Sequence, residues 1–408
     1  MKCRHCEADV SLPLVDLGCT PPSNAYLSER DLANPERRFP LRVLVCERCW
    51  LVQNEDFARA AELFDADYAY FSSVSHSWLA HAERYVAEVT SRFGLGAQSH
   101  IVEVAANDGY LLQYFVRGGI PCTGIEPTAG TGAAAKAKGI PIIADFFGAA
   151  LAERLARKGA AADLMVANNV LAHVPDINDF VSGFATLLKP EGVATFEFPH
   201  LLTLVTQTLF DTIYHEHFSY LSLTTVERIF TDRGLTIFDV ELLPTHGGSL
   251  RVFAQRTNTG RHQRSQNVAR MLQRESEAGM TTAAFYAGFQ SRADRVASEF
   301  RAFLTDAKDH GRTVAAYGAA AKGNTLMNYA GVGSDLIPFV ADRNPAKRGK
   351  YTPGSRIRIV DEQALQEARP DYVVILPWNL KQELMEQLAY IREWNGRFVT
   401  ALPQLVVA

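Results

Sequence analysis

Short apolar runs separated by polar or glycine-rich breaks recur along most of the chain, and two periods alternate. His100-Ile101-Val102-Glu103-Val104 is a compact β-branched run that reads as a buried strand. It leads into Ala105-Ala106-Asn107-Asp108-Gly109, then into apolar positions at helical spacing from Tyr110 to about Arg117, closed by Gly119-Ile120-Pro121. A second strand, Cys122 to Ile125, stops at Glu126; an Ala-rich helix over 129–138 and a third run, Ile140 to Ile143, follow, with Asp145 and Phe146 beyond. Leu164–Ala167 and Val193–Phe198 read as further strands, and Gly234–Leu242 with Leu250–Gln255 as an antiparallel hairpin. Strands alternating with helices predict an α/β fold with a doubly wound parallel sheet.

The pattern repeats near the end. Thr313–Tyr317 is a strand that runs into Gly318-Ala319-Ala320-Ala321-Lys322-Gly323-Asn324-Thr325 and a helix; Leu336–Val340 ends at Asp342, and Tyr372–Leu376 ends at Pro377-Trp378-Asn379. Between the two α/β segments, residues 262–309 carry apolar residues at helical spacing. The expected division is 1–65, 66–260, a helical linker at 261–310, and a second Rossmann-like unit at 311–408.

In folds of this kind an acid ending the second strand grips a ribose, the place Glu126 would take. The first turn, however, has the single glycine Gly109 instead of a Gly-x-Gly-x-x-Gly, which argues against a dinucleotide whose pyrophosphate must approach the backbone. A ligand with a ribose and no phosphate fits better, and S-adenosylmethionine is the candidate. The second turn adds Lys322 and Gly323. A lysine beside free amides at a helix start suits a phosphate; a packing glycine with a solvated lysine is the alternative.

Composition narrows the class. The 408 residues are 47% hydrophobic and 21% charged with a net charge of −4, which is an ordinary globular balance and no basic nucleic-acid footprint. No apolar run reaches the roughly 18 residues of a membrane helix, and Met1 to Cys6 has no signal-peptide core. A cytoplasmic location and reduced cysteines are expected. Four of the cysteines form two Cys-x-x-Cys pairs, Cys3/Cys6 and Cys46/Cys49, separated by strand signals at Leu12–Leu17 and Phe39–Val45. Two such pairs make the tetrahedral thiolate set that zinc prefers, with no position open for catalysis. A redox pair is the other reading.

The densest chemistry is Tyr214-His215-Glu216-His217-Phe218-Ser219-Tyr220, where two imidazoles, a carboxylate and two phenols sit between Leu209, Phe210 and Ile213 on one side and Leu221 and Leu223 on the other. Proton-handling groups in an apolar setting point to proton transfer in a pocket. A satisfied polar patch is the plainer reading. His173 follows the strand end at Asn169, where this kind of sheet places substrate chemistry.

Together these motifs resemble the S-adenosylmethionine-dependent sugar C-methyltransferases, which act on nucleotide-linked 4-keto deoxysugars. The resemblance rests on the cysteine pairs, Glu103 to Gly109, Gly124-Ile125-Glu126-Pro127, Asn169 to Val174, the Tyr214–Tyr220 cluster, His246 to Arg251, and Gly318 to Thr325. It covers nearly the whole chain. It implies a structural zinc on Cys3, Cys6, Cys46 and Cys49. It implies a cofactor site of Glu103, Asn107, Asp108, Gly109, Glu126, Asp145, Phe146 and Asn168. It implies substrate contacts from Tyr68, His246, Lys322, Gly323 and Asn324 to a nucleotide-linked keto sugar, without nucleic acid or membrane, in a monomer or weak homodimer. Methylating carbon needs an enolate, so a base and donors to oxygen are required. His217 is the leading base, Tyr214 the second candidate or an enolate donor. Glu216 orients an imidazole or holds a hydroxyl, and His173 protonates or hydrogen-bonds the enolate oxygen.

Two competing classes stay open at this point. An O- or N-methyltransferase needs one base and no enolate stabilisation. A zinc-ribbon interaction protein without catalysis would bind cofactor and not turn over. Exchange of a substrate carbon's proton with deuterated solvent separates these from carbon methylation.

Overall fold

The computed structural model describes residues 1–55, 57 and 71–408, so Tyr68 lies outside the described residues. In chain order the strands are β1 (Leu12–Thr20), β2 (Phe39–Val45), β3 (Val52–Asn54), β4 (Ile101–Val104), β5 (Cys122–Ile125), β6 (Ile142–Ile143), β7 (Ala162–Asn168), β8 (Leu188–Pro199), β9 (Ser219–Tyr220), β10 (Leu235–Leu243), β11 (Ser249–Arg256), β12 (Val314–Tyr317), β13 (Phe339–Ala341), β14 (Arg358–Val360), β15 (Tyr372–Ile375), β16 (Arg397–Thr400) and β17 (Val406–Val407).

The central sheet has the order β10-β11-β8-β7-β4-β5-β6. β6, β5, β4, β7 and β8 are parallel, and the β10–β11 hairpin closes the edge antiparallel to β8. This is the expected class I methyltransferase sheet. All four residues of β4 are buried, as a strand covered by helices on both faces requires. Tyr85, Val89 and Phe115 pack on one face, and Phe180, Phe184 and Phe230 on the other. Strand order reverses at β4, so the ligand crevice lies beyond the carboxyl ends of β4, β5 and β7. The helix after Gly109 starts at Leu112, not Tyr110, because the turn keeps Gly109 at a φ of 74°. β6 starts only at Ile142, since Pro141 has no N–H to give the ladder.

The second Rossmann-like sheet, β14-β13-β12-β15-β16-β17, is parallel except for β17. It repeats a detail of the first. Glu126 Oε2, after β5, accepts from Asn107 N at 2.8 Å, and Asp342 Oδ2, after β13, accepts from Ala319 N at 2.7 Å. In both units the acid ending the second strand holds the turn after the first.

The zinc-bearing sheet, β1-β2-β3-β9, takes its last strand from distant sequence. β9 follows the His/Tyr cluster directly and pairs with β3 through Val52–Tyr220 and Gln53–Ser219. One core joins this sheet to the rest, with Val43 and Val52 in the same cluster as Phe210, Ile213, Phe289, Leu326 and Trp378. Residues 266–309 hold the helices Gln266–Glu277, Ala283–Tyr286 and Phe289–Asp309. Among the described residues no helix is long and apolar enough to cross a membrane.

Gly109 is the tightest point of the cofactor turn. A Cβ there would lie 2.3 Å from Ile140 Cδ1 and 3.3 Å from Ala135 Cβ, on a backbone at φ +74°. Gly109→Ala should therefore destabilise the chain by roughly 1–3 kcal/mol through backbone strain and overpacking. Urea unfolding checks this; a midpoint unchanged from the parent contradicts it.

Candidate active site and zinc centre

Cys3 and Cys6 lie in the turn before β1, and Cys46 and Cys49 in the turn between β2 and β3. Their four sulfurs lie within 4.8 Å of one another. Cys3 and Cys49 are 3.5 Å apart, as are Cys6 and Cys46. A disulfide needs about 2.05 Å, whereas zinc at about 2.3 Å from each sulfur sets neighbouring sulfurs about 3.8 Å apart. All four cysteines are unbridged and three are buried. The donor set therefore fits a closed structural zinc, and the convergence of both pairs on one point removes the redox reading.

The zinc turn reaches the His/Tyr cluster in a few residues. Beyond Cys49, β3 ends at Asn54, whose Nδ2 donates to Tyr214 O at 3.1 Å and His217 O at 2.9 Å. Asn54 N donates to Phe218 O, and Phe218 N to Ala172 O at 2.8 Å, which fixes the cluster beside His173. His217 Nδ1–H donates to Thr212 O at 2.8 Å, and His173 Nδ1–H donates to Glu216 O at 2.8 Å. A carbonyl only accepts, so each neutral ring carries its proton on Nδ1 and its lone pair on Nε2. The two rings meet edge to face, 4.6 Å between centroids, and Tyr214 lies over His217 at 4.0 Å.

Burial dominates the electrostatics. It pushes His173 from the usual 6.5 to about 4 and holds His217 well below 6.5, with the nearby His173 adding to the effect. Both rings are neutral at pH 7 and able to accept a proton. Burial also raises Glu216, whose Oε1 accepts from Asn24 N and Nδ2. Glu216 Oε2 is buried and makes no hydrogen bond among the described residues. His215, by contrast, turns away, with Nε2 3.3 Å from Phe39 O and its ring against Phe39.

The predicted cofactor residues gather at the carboxyl ends of β4, β5, β6 and β7. Glu103 is fully buried within β4, its carboxyl raised well above the usual range by burial. Asn107 and Asp108 receive Ser72 N and Ser73 N at 2.9 and 3.2 Å, so their side chains pin the segment leading into the helix His76–Phe93. Glu126 also accepts from Thr128 N at 2.9 Å. A carboxylate has about four lone-pair sites, which leaves capacity for ribose hydroxyls. Among the described residues Asn168 Oδ1 and Asp108 Oδ1 are buried without hydrogen bonds, while Phe146 stands 53% exposed beside Asp145. Orphaned acceptors and an exposed ring around this edge fit S-adenosylmethionine.

The predicted substrate residues of the second unit divide. Asn324 is fully buried and its Nδ2 donates to Ser23 O at 2.7 Å. Gly323 is a packing glycine, since a Cβ would sit 2.7 Å from Leu376 Cβ. Lys322 has its Nζ 3.0 Å from Asn379 Oδ1 and 4.8 Å from the Trp378 ring centre. His246 closes the opposite wall at a φ of 54°, against Trp78 at 5.4 Å, with burial pushing it down to about 4.

Several partners escape a reading of the sequence. Glu197 in β8 is fully buried with His81 at 2.8 Å and Arg251 at 3.1 Å; burial alone would raise it, yet these partners hold it below the usual range. Asp211 accepts from Trp378 Nε1 at 2.7 Å. Each is a lone acid inside an apolar run, Phe196-Glu197-Phe198 and Leu209-Phe210-Asp211, and that was the available signal.

Two outcomes follow from the zinc and the imidazoles. The parent should hold about one zinc per chain, and Cys46→Ser should lose it, lower the melting temperature and cost activity through the loop that Asn54 braces. A zinc-free variant with parental melting and activity contradicts the assignment. His173 and His246 bind fewer protons folded than unfolded between about pH 4 and 6.5. Their contribution to stability is thus present above pH 6.5 and lost as pH falls toward 4. NMR titration should show both rings neutral at pH 5.5; midpoints near 6.5 would refute the burial argument.

Comparison with known proteins agrees with this arrangement. Residues 3–64 match a zinc binding domain family, 78–240 a methyltransferase domain and 244–403 the C-methyltransferase C-terminal domain. The C-methyltransferase NovU of Streptomyces niveus is 34% identical over 403 residues, covering 99% of this chain and 96% of that protein. Among solved structures, magnesium protoporphyrin IX methyltransferase of Synechocystis PCC 6803 with bound SAH is 16% identical with a TM-score of 0.36, covering 44% of this chain and 83% of that one. The 1,6-didemethyltoxoflavin-N1-methyltransferase of Burkholderia thailandensis is 15% identical with a TM-score of 0.36, covering 51% and 96%. With a relative that similar over its full length, and all three family domains in order, the chain belongs to the S-adenosylmethionine-dependent C-methyltransferases that carry an N-terminal zinc-binding domain.

Proposed function

We propose that the chain methylates C3 of a nucleotide-linked 4-keto deoxysugar. The observation that carries this reading is the pair of buried neutral imidazoles, His173 and His217, 4.6 Å apart beside the cofactor edge. O-methylation needs one base. Carbon methylation needs a base and a separate donor to the oxyanion, and a segment with two imidazoles, a carboxylate and two phenols offers more than one base.

His217 Nε2 takes the C3 proton. The C–H bonding pair becomes the C3=C4 bond, and the carbonyl π pair moves to O4. His173 cannot donate to that oxygen, because its one N–H, on Nδ1, is given to Glu216 O. Tyr214, its ring 4.0 Å from that of His217 and tilted by 32°, holds the ring's orientation, and Glu216 Oε2, which makes no hydrogen bond among the described residues, accepts a sugar hydroxyl. Bound S-adenosylmethionine supplies an electrophilic methyl to C3. Glu126 would take its ribose hydroxyls, with Asp145 and Phe146 at the adenine and Glu103, Asn107, Asp108, Gly109 and Asn168 shaping the turn around it. The proton on His217 then leaves to solvent.

Loss of a general base costs about 10²–10⁴ in rate. His217→Asn should lower kcat by that order, slow exchange of the C3 proton into deuterated water, and leave cofactor affinity unchanged in calorimetry. Exchange abolished by Tyr214→Phe and untouched by His217→Asn would make the tyrosine the base.

A further inference from the structure

The diphosphate of a sugar nucleotide is the obvious partner for a lysine in a glycine turn, but the surroundings of Lys322 fit a different anion. A diphosphate needs several donors. Here the neighbouring Gly323 is filled by Leu376, and the amide of Asn324 is spent on Ser23 O. Lys322 faces Trp378 instead, and Trp378 donates to the buried Asp211. Asp211 Oδ1 makes no further hydrogen bond among the described residues. A dianionic group beside that carboxylate would meet like-charge repulsion.

The same three residues run into the reacting groups. Asp211 precedes Thr212, whose carbonyl holds His217 Nδ1–H at 2.8 Å. Trp378 packs on Gly247, where a Cβ would lie 2.4 Å from Trp378 Cη2, and Gly247 adjoins His246. Thr325, one turn along the helix from Lys322, donates to Ile213 O at 3.0 Å at the entry to the cluster. Lys322 Nζ donates to Asn379 Oδ1, and an ammonium with three donors keeps capacity for a substrate oxygen. Its charge is felt at both His217 and His246.

We propose that Lys322 is a catalytic residue whose ammonium, set on the Trp378 face, stabilises the enolate oxygen formed when His217 removes the C3 proton. This rests on the carbon-methylation reading above. The proton leaves C3 for His217 Nε2, the freed pair ends as charge on O4, and Lys322 neutralises that charge without giving up a proton. When C3 bonds to the methyl, the methyl–sulfur pair stays on sulfur and the O4 charge returns to the carbonyl. The lysine is therefore used in the transition state and not in the ground state, which lowers kcat rather than raising KM when it is lost.

The test uses the zinc-loaded full chain with thymidine- and uridine-diphosphate 4-keto-6-deoxyglucose as probes. Lys322→Met, and Lys322→Gln as a second variant that keeps the bond to Asn379, are compared with the parent for C3–H exchange into deuterated water and for methyl transfer. The expected result is exchange and kcat down about 10²–10³-fold, KM within about threefold, and cofactor affinity unchanged. Exchange at the parental rate with KM raised tenfold or more in a folded variant makes Lys322 the diphosphate anchor and overturns the inference alone. No exchange and no methyl transfer in the parent with either probe overturns the carbon-methylation reading, and this inference with it.

Discussion

Everything in this site depends on keeping two imidazoles buried and neutral. A buried imidazolium is costly, and a buried imidazole with an unpaired N–H is costly too. The fold meets both constraints by giving each Nδ1–H a backbone carbonyl, Thr212 O for His217 and Glu216 O for His173. Those carbonyls are useful only if the loop cannot shift. Asn54 supplies that restraint from the zinc-bearing sheet, and Phe218 N bonded to Ala172 O ties the loop to the end of the methyltransferase strand. The zinc-bearing sheet thus fixes the geometry of the candidate site through Asn54.

The two Rossmann-like units show one device serving different ends. In both, an acid after the second strand takes a backbone N–H from the turn after the first. In the first unit the turn opens toward orphaned acceptors such as Asn168 Oδ1. In the second, a Cβ on Gly318 would meet Pro377 at 2.6 Å, a close approach like that at Gly109 in the first. The second unit keeps the scaffold and turns its helix, with Lys322, toward the first unit's chemistry.

Much of this was legible in the chain. The cysteine spacing located the zinc ligands, and the β-branched runs ending at Glu126 and Asp342 located the strand ends, because strands buried on both faces must be continuously apolar. The cluster from Tyr214 to Tyr220 stood out because polar groups rarely share so short an apolar-flanked segment. What stayed hidden is long-range. β9 is two residues long and carries no strand pattern; only its pairing with β3 defines it. Asn24 and Asn54 carry no distinguishing pattern, and only the fold brings them to Glu216 and His217. Lys322 carried a phosphate signal by local pattern, and its contacts with Trp378 and Asn379 had no counterpart in that pattern.

The central claim is that this cleft makes a carbon–carbon bond. The most direct measurement is NMR of the product formed from S-adenosylmethionine labelled with carbon-13 in the methyl group and a nucleotide 4-keto-6-deoxysugar. The account predicts a one-bond carbon–carbon coupling between the labelled methyl and a ring carbon adjacent to the ketone. A labelled methyl bonded to oxygen or nitrogen, with the ring carbon still carrying its proton, would contradict it.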